Sequence, residues 1–174
     1  MSTTKIEHAY AEPFGFNRWM LVGGLALLTV FTGWLAWFTS TLPHSSSLGW
    51  WILAFAGSLV GCLLAILREA LARWGLLIAL VANVAMRSYF AFAGDWTRYN
   101  GFAEVLLALG LLAALAALVR HKWWLRWALL ACGAAGGLLL LRNLVDGAIE
   151  PGFRQAIHLT AFILLGLAAP RRGA

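Results

Sequence analysis

The sequence predicts an all-α, polytopic transmembrane helical bundle of about six spans, with both termini in the cytoplasm. Three observations lead there. First, 62% of the 174 residues are hydrophobic and only 11% are charged, with a mean hydropathy of +0.81. An average soluble domain is about one-quarter charged, and a soluble domain this small has too much surface to hide such an apolar excess. Second, the apolar residues fall in blocks long enough for a helix, rising about 1.5 Å per residue, to cross the hydrocarbon core. Third, the basic and tryptophan residues gather between the blocks, where they meet lipid headgroups.

Residues 1–18 form a cytoplasmic N-terminal tail in this reading. Lys5 and Arg18 are mixed there with Glu7 and Glu12. The apolar stretch that follows is of full span length, so it reads as a mature first helix and not as a cleavable signal. The six-helix transmembrane domain covers 19–169, with spans at 19–39, 49–67, 74–93, 102–119, 123–145 and 152–169, and 170–174 is a basic cytoplasmic C-terminal tail. The first loop, Thr41 to Ser47 with Pro43 and His44, has turn chemistry. Asn100-Gly101 can cap the fourth helix, and Gly147 can end the fifth in a left-handed conformation after Asp146. Pro151 fits the first turn of the sixth, where a missing N–H costs nothing. Short connections make sequential helices antiparallel neighbours.

Orientation follows from the basic residues. Lys5, Arg18, Arg68, Arg73, Arg120, Lys122, Arg126, Arg171 and Arg172 fall on the side of the termini; Arg87, Arg98, Arg142 and Arg154 fall on the other. The larger group marks the cytoplasm. Tryptophan forms two matching belts, Trp19, Trp74, Trp123, Trp124 and Trp127 on the first side and Trp34, Trp37, Trp50, Trp51 and Trp96 on the second. Short loops suit a bacterial inner membrane. Small residues recur at four-residue spacing in Gly57/Gly61, Ala113/Ala117 and Gly133/Gly137, which allows helix backbones to approach closely, by default within the chain.

Ionisable groups inside spans are costly and therefore informative. Asn83 and Arg87 lie four apart on one face of the third span, and Arg87 is near enough to the outer end to snorkel. Tyr89, Asp95, Trp96, Arg98 and Tyr99 follow, then Glu104 in the first turn of the fourth span. A second concentration, Arg142, Asn143, Asp146, Glu150, Arg154 and His158, surrounds the fifth loop. Asn83, Arg87, Glu104, Arg142, Asp146, Arg154 and His158 are the candidate ligand-binding residues, as an outer-leaflet pocket in which arginines hold an anionic headgroup and His158 exchanges a proton. Against this stands a plainer reading, in which Arg142–Asp146 and Glu150–Arg154 are anchoring pairs, Arg87 snorkels alone and His158 makes a hydrogen bond near a helix end.

Several activities lack their motifs. There is no P-loop, dinucleotide fingerprint, HExxH or GxSxG. Cys62 and Cys132 stand alone in apolar blocks, which gives a zinc or dithiol site no support. His158 is the only histidine within a span, so a bis-histidine haem site cannot be assembled. No cofactor or metal is implied, and the scattered basic residues do not form a nucleic-acid-binding stripe. The expected partners are membrane lipids, with room for other membrane subunits. Three functions remain: an accessory subunit of a membrane system, a carrier or lipid- or quinone-binding protein using the outer cluster, and an enzyme acting on a lipid or isoprenoid.

Overall fold

The computed structural model describes residues 16–43, 46–93, 101–147 and 149–170, and for 92–93, 101–104, 150 and 151 the backbone alone. Six α-helices account for nearly all of it: α1 (Arg18–Ser40), α2 (Leu48–Leu67), α3 (Ala72–Ala93), α4 (Gly101–Val119), α5 (Leu125–Val145) and α6 (Ile149–Ala168). A 3₁₀ turn at Glu69–Leu71 joins α2 to α3. All six lie within three residues of the expected spans. Four helices are long and apolar enough to cross a membrane, α1, α2, α3 with its preceding turn, and α5. The apolar stretches of α4 and α6 are shorter, Val105–Val119 and Gly152–Ala168 among the described residues.

Each helix packs against its neighbours in sequence, and α1 packs against α6, so the bundle closes into a ring. The start of α1 and the end of α6 lie side by side, joined by a hydrogen bond from the Asn17 N–H to the Ala168 carbonyl (2.9 Å). We call this the termini end and its opposite the far end.

One helix wears its large side chains outward. α2 buries Ala54, Gly57, Ser58, Gly61, Cys62 and Ala65 and exposes Ile52, Leu53, Leu59, Val60, Leu63, Ile66 and Leu67. A soluble helix would do the reverse; in lipid, helix contacts gain from close backbone approach, which small residues permit. A Cβ on Gly61 would run into the Gly75 carbonyl oxygen of α3, and one on Gly57 into Ala82. Gly133 and Gly137 face Phe162 and Leu159 of α6 across ordinary contact distances. The small-residue faces are therefore used inside the chain.

At the helix ends, side chains and turns satisfy the backbone groups left without an intrahelical partner. Asn17 caps α1 by accepting from the Met20 N–H (3.3 Å). Arg18 donates to the Ala65 (3.0 Å) and Ile66 carbonyls at the end of α2, and Arg73 to the Leu118 carbonyl at the end of α4 (3.3 Å). These two arginines, counted in the sequence as headgroup anchors, also cap neighbouring helices. α4 ends in a Schellman turn: Lys122 N–H donates to the Ala117 carbonyl (2.8 Å) and His121 N–H to the Leu118 carbonyl (3.4 Å), with His121 left-handed at φ 52°. Gly147 takes the same conformation after α5, at φ 70°, as its sequence position suggests. Within the spans, Thr29 and Thr32 donate to the Leu25 and Leu28 carbonyls one turn back (2.8 Å each).

The tryptophans separate in exposure. Trp19, Trp74, Trp123 and Trp127 at the termini end and Trp37 at the far end are exposed, as headgroup-level rings should be. Trp51 turns inward instead and packs on Phe31 and Phe90. Trp96 lies outside the described residues.

Candidate functional site

Leucine and alanine fill the ring toward the termini end; polar and aromatic groups enter its interior toward the far end. Phe31 is nine residues from the end of α1 and His158 nine from the start of α6. At about 1.5 Å per residue both lie about 13 Å from the far ends of their helices, so the two rings meet. Their centroids are 4.9 Å apart. Phe162, one turn along α6 from His158, covers the imidazole at 4.8 Å. On α5, Gly136 leaves the space the ring occupies: a Cβ there would come within 2.8 Å of Nδ1. His158 is 1% exposed, and its buried Nδ1 has no hydrogen-bond partner among the described residues.

Arg87 is 3% exposed and does not snorkel. Its face of α3, shared with Leu76, Ala79, Leu80 and Asn83, turns into the ring. The guanidinium lies over the Trp51 ring at 5.7 Å and is within electrostatic reach of His158 and of Cys132 on α5. One turn below, the Asn83 amide donates to the Ser58 hydroxyl of α2 (3.1 Å) and to the Ala79 carbonyl (2.9 Å). Arg87 and Asn83 are thus held at the α2–α3 seam by the close approach at Gly57. Aromatic contacts make the site continuous from α6 to α3: His158 on Phe31, Phe31 edge-on to Trp51 (6.3 Å), Trp51 on Phe90 (5.2 Å). Outside it, Trp50 stacks on Tyr89 (4.8 Å, 19°).

The other expected site residues are placed differently. Arg142 and Asp146 pair with each other at 3.5 Å on the edge of α5, their side chains 39% and 59% exposed. Arg154 lies over Trp34 and Phe38 of α1, 5.4 Å from each ring. The Glu104 and Glu150 side chains and residues 95–99 lie outside the described structure. The structure therefore turns Asn83 and Arg87 inward on one face of α3 and buries His158 on α6, with the aromatic rings of Phe31 and Trp51 between them, and Arg154 lies one turn from His158 at the α1–α6 seam.

Two expectations are corrected. Arg87 points inward because α3 turns its polar face from lipid. His158 is not near a helix end, because α6 begins at Ile149, three residues earlier than expected, and this puts His158 in its third turn. Sequence reasoning also missed Ser58, Phe31, Phe162 and Gly136. Ser58 had a signal, being next to Gly57 on a small-residue face. Phe162, four residues after His158, had another. Phe31 is one aromatic among many, and nothing in its neighbours marks it.

Comparison with protein-family models, curated proteins and solved structures gives no match. The site must therefore be read from its own chemistry. Among the described residues no group of three His, Cys, Asp or Glu side chains could hold a metal ion. The cluster offers guanidinium donors, an imidazole and π faces, a set suited to the polar end of a lipid-soluble molecule.

Proposed function

We propose that the chain is a multi-pass protein of a bacterial inner membrane, with both termini in the cytoplasm, that binds the polar end of a membrane-dissolved quinone or lipid at Arg87 and His158. The observation that carries this reading is the joint burial of a guanidinium and an imidazole in aromatic surroundings, with Nδ1 of the imidazole unpartnered. A buried polar atom left without a partner costs about 1–3 kcal/mol. A phenyl ring would fill the same place at no such cost, and a ligand carbonyl or hydroxyl beside the imidazole would remove it. Ionisable groups deep in a bundle often mark substrate paths.

An accessory subunit of a membrane system is the second reading. Its support is the scarcity of chain outside the helices: the longest connections between Phe16 and Pro170 are 41–47 and 94–100. Against it, the glycine faces that would suit docking to another subunit are occupied by α3 and α6.

The test is purification of the wild type, Arg87→Met and His158→Phe in mild detergent, solvent extraction and mass spectrometry of what copurifies, and titration with decylubiquinone and a short-chain phospholipid followed by tryptophan fluorescence. The wild type should retain and bind one of these saturably, and each variant should bind at least about tenfold more weakly, the factor for losing one good polar contact. Equal behaviour of all three proteins would remove the reading. A stoichiometric protein partner retained equally by all three would favour the accessory role.

A further inference from the structure

Five seams of the helix ring join sequence neighbours. The sixth, α1–α6, joins the first helix to the last and has no connecting loop. Its two ends are fastened by different means. At the termini end, the Asn17 N–H donates to the Ala168 carbonyl, and Gly24 lets α1 lie against Leu165 and the Ala161 carbonyl. A Cβ on Gly24 would come within 2.9 Å of that oxygen, so backbone meets backbone. At the far end large side chains fill the seam. Arg154 lies over Trp34 and Phe38, and Phe153 packs edge-on to Trp34 at 6.5 Å. Phe153 and Phe38 are exposed, so this end reaches the surface that faces lipid. His158 is one turn further along the same face of α6.

We infer that the far half of the α1–α6 seam is the lateral opening through which a membrane-dissolved ligand reaches His158, with Arg154 as its latch. The inference rests on the binding site proposed at Arg87 and His158. Splaying α1 from α6 at the far end stretches no connecting segment, while the backbone contacts at the termini end act as the hinge. Side-chain contacts can give way by rotation about χ angles; the close approach at Gly24 cannot. The guanidinium at the threshold offers donors to a polar headgroup in passage, so the headgroup need not cross an apolar stretch unpaired.

Double electron–electron resonance in lipid nanodiscs tests this without ligand. Spin labels at Trp37→Cys with Ile149→Cys report the far end, and labels at Trp19→Cys with Leu167→Cys report the hinge; all four positions are exposed, and native Cys62 and Cys132 are buried. The far pair should give two distance populations. The longer should grow roughly fivefold relative to the shorter in Arg154→Met, the factor for losing a partly exposed cation–π contact. The hinge pair should give one distance, unchanged by that substitution. A single far-end distance, identical in the wild type and Arg154→Met, overturns the opening. If decylubiquinone or phospholipid still binds that protein, the site stands and only its entrance is wrong. A far seam that moves in a protein that binds neither probe overturns the site and the opening together.

Discussion

The two halves of the bundle interior are held by different means. Toward the termini end the core is Leu21, Leu25, Leu76, Leu118, Leu125 and Leu165, and backbones meet at Gly24, Gly61 and Gly75. Toward the far end it is Phe31, Trp51, Asn83, Arg87 and His158. Apolar residues gain little by leaving lipid for one another, so the first half depends on close contact, and no added atom fits at Gly24, Gly61 or Gly75. The second half carries polar groups that packing alone does not require. Stability and function should therefore separate along the helix axes.

The largest effect should come from breaking the tight half. Gly61→Leu forces a side chain into the Gly75 carbonyl, which cannot move aside as a flexible side chain could. A loss of about 3 kcal/mol or more is expected, at the upper end for overpacking. Unfolding followed by size-exclusion chromatography with heating should show most of the protein lost. In the far half, Asn83→Leu removes the amide from the Ser58 hydroxyl and should cost about 1–2 kcal/mol by the same assay. A double-mutant cycle with Ser58→Ala should give a coupling of about 0.6 kcal/mol, the average for polar pairs between membrane helices.

His158→Phe sharpens the contrast because its sign is opposite. The ring remains between Phe31 and Phe162 while the unpartnered nitrogen is removed, so stability should rise by about 1 kcal/mol although ligand binding is lost. A variant that is both less stable and fully competent to bind would reverse the assignment of roles. The smallest effect belongs to a position outside both halves. His121 is left-handed in the turn after α4, where glycine has no steric penalty, so His121→Gly should stabilise the protein by about 0.5–1 kcal/mol. A decrease instead would mean that the His121 side-chain contacts outweigh the strain.

Much of this arrangement is legible in the sequence alone. The spans follow from block length, and the left-handed Gly147 from its place after α5. The pairing of Asn83 with Arg87 on one face follows from their spacing. The direction of that face is not legible, because it depends on the rotation of α3 about its own axis. Neighbouring helices follow different rules there: α2 buries alanine, glycine and serine beneath its exposed leucines, whereas α3 buries Asn83 and Arg87 together with Leu76, Leu80 and Met86. The depth of His158 is hidden too, because Pro151 suggests a later start for α6, whereas the helix has already begun at Ile149. The aromatic neighbour Phe31 comes from α1, more than a hundred residues away in the chain, and local patterning carries no record of it.

The hydrogen bond between Asn17 and Ala168 makes the path of the backbone almost a circle. A flexible linker from Pro170 to Phe16 would complete it, and new ends could be opened at the exposed Arg120–Lys122 turn. In such a circular permutant the α4–α5 connection would be severed and α1–α6 would become a tethered hairpin. The linker would join α1 to α6 at the hinge, and the far end of their seam would still have no covalent link of its own.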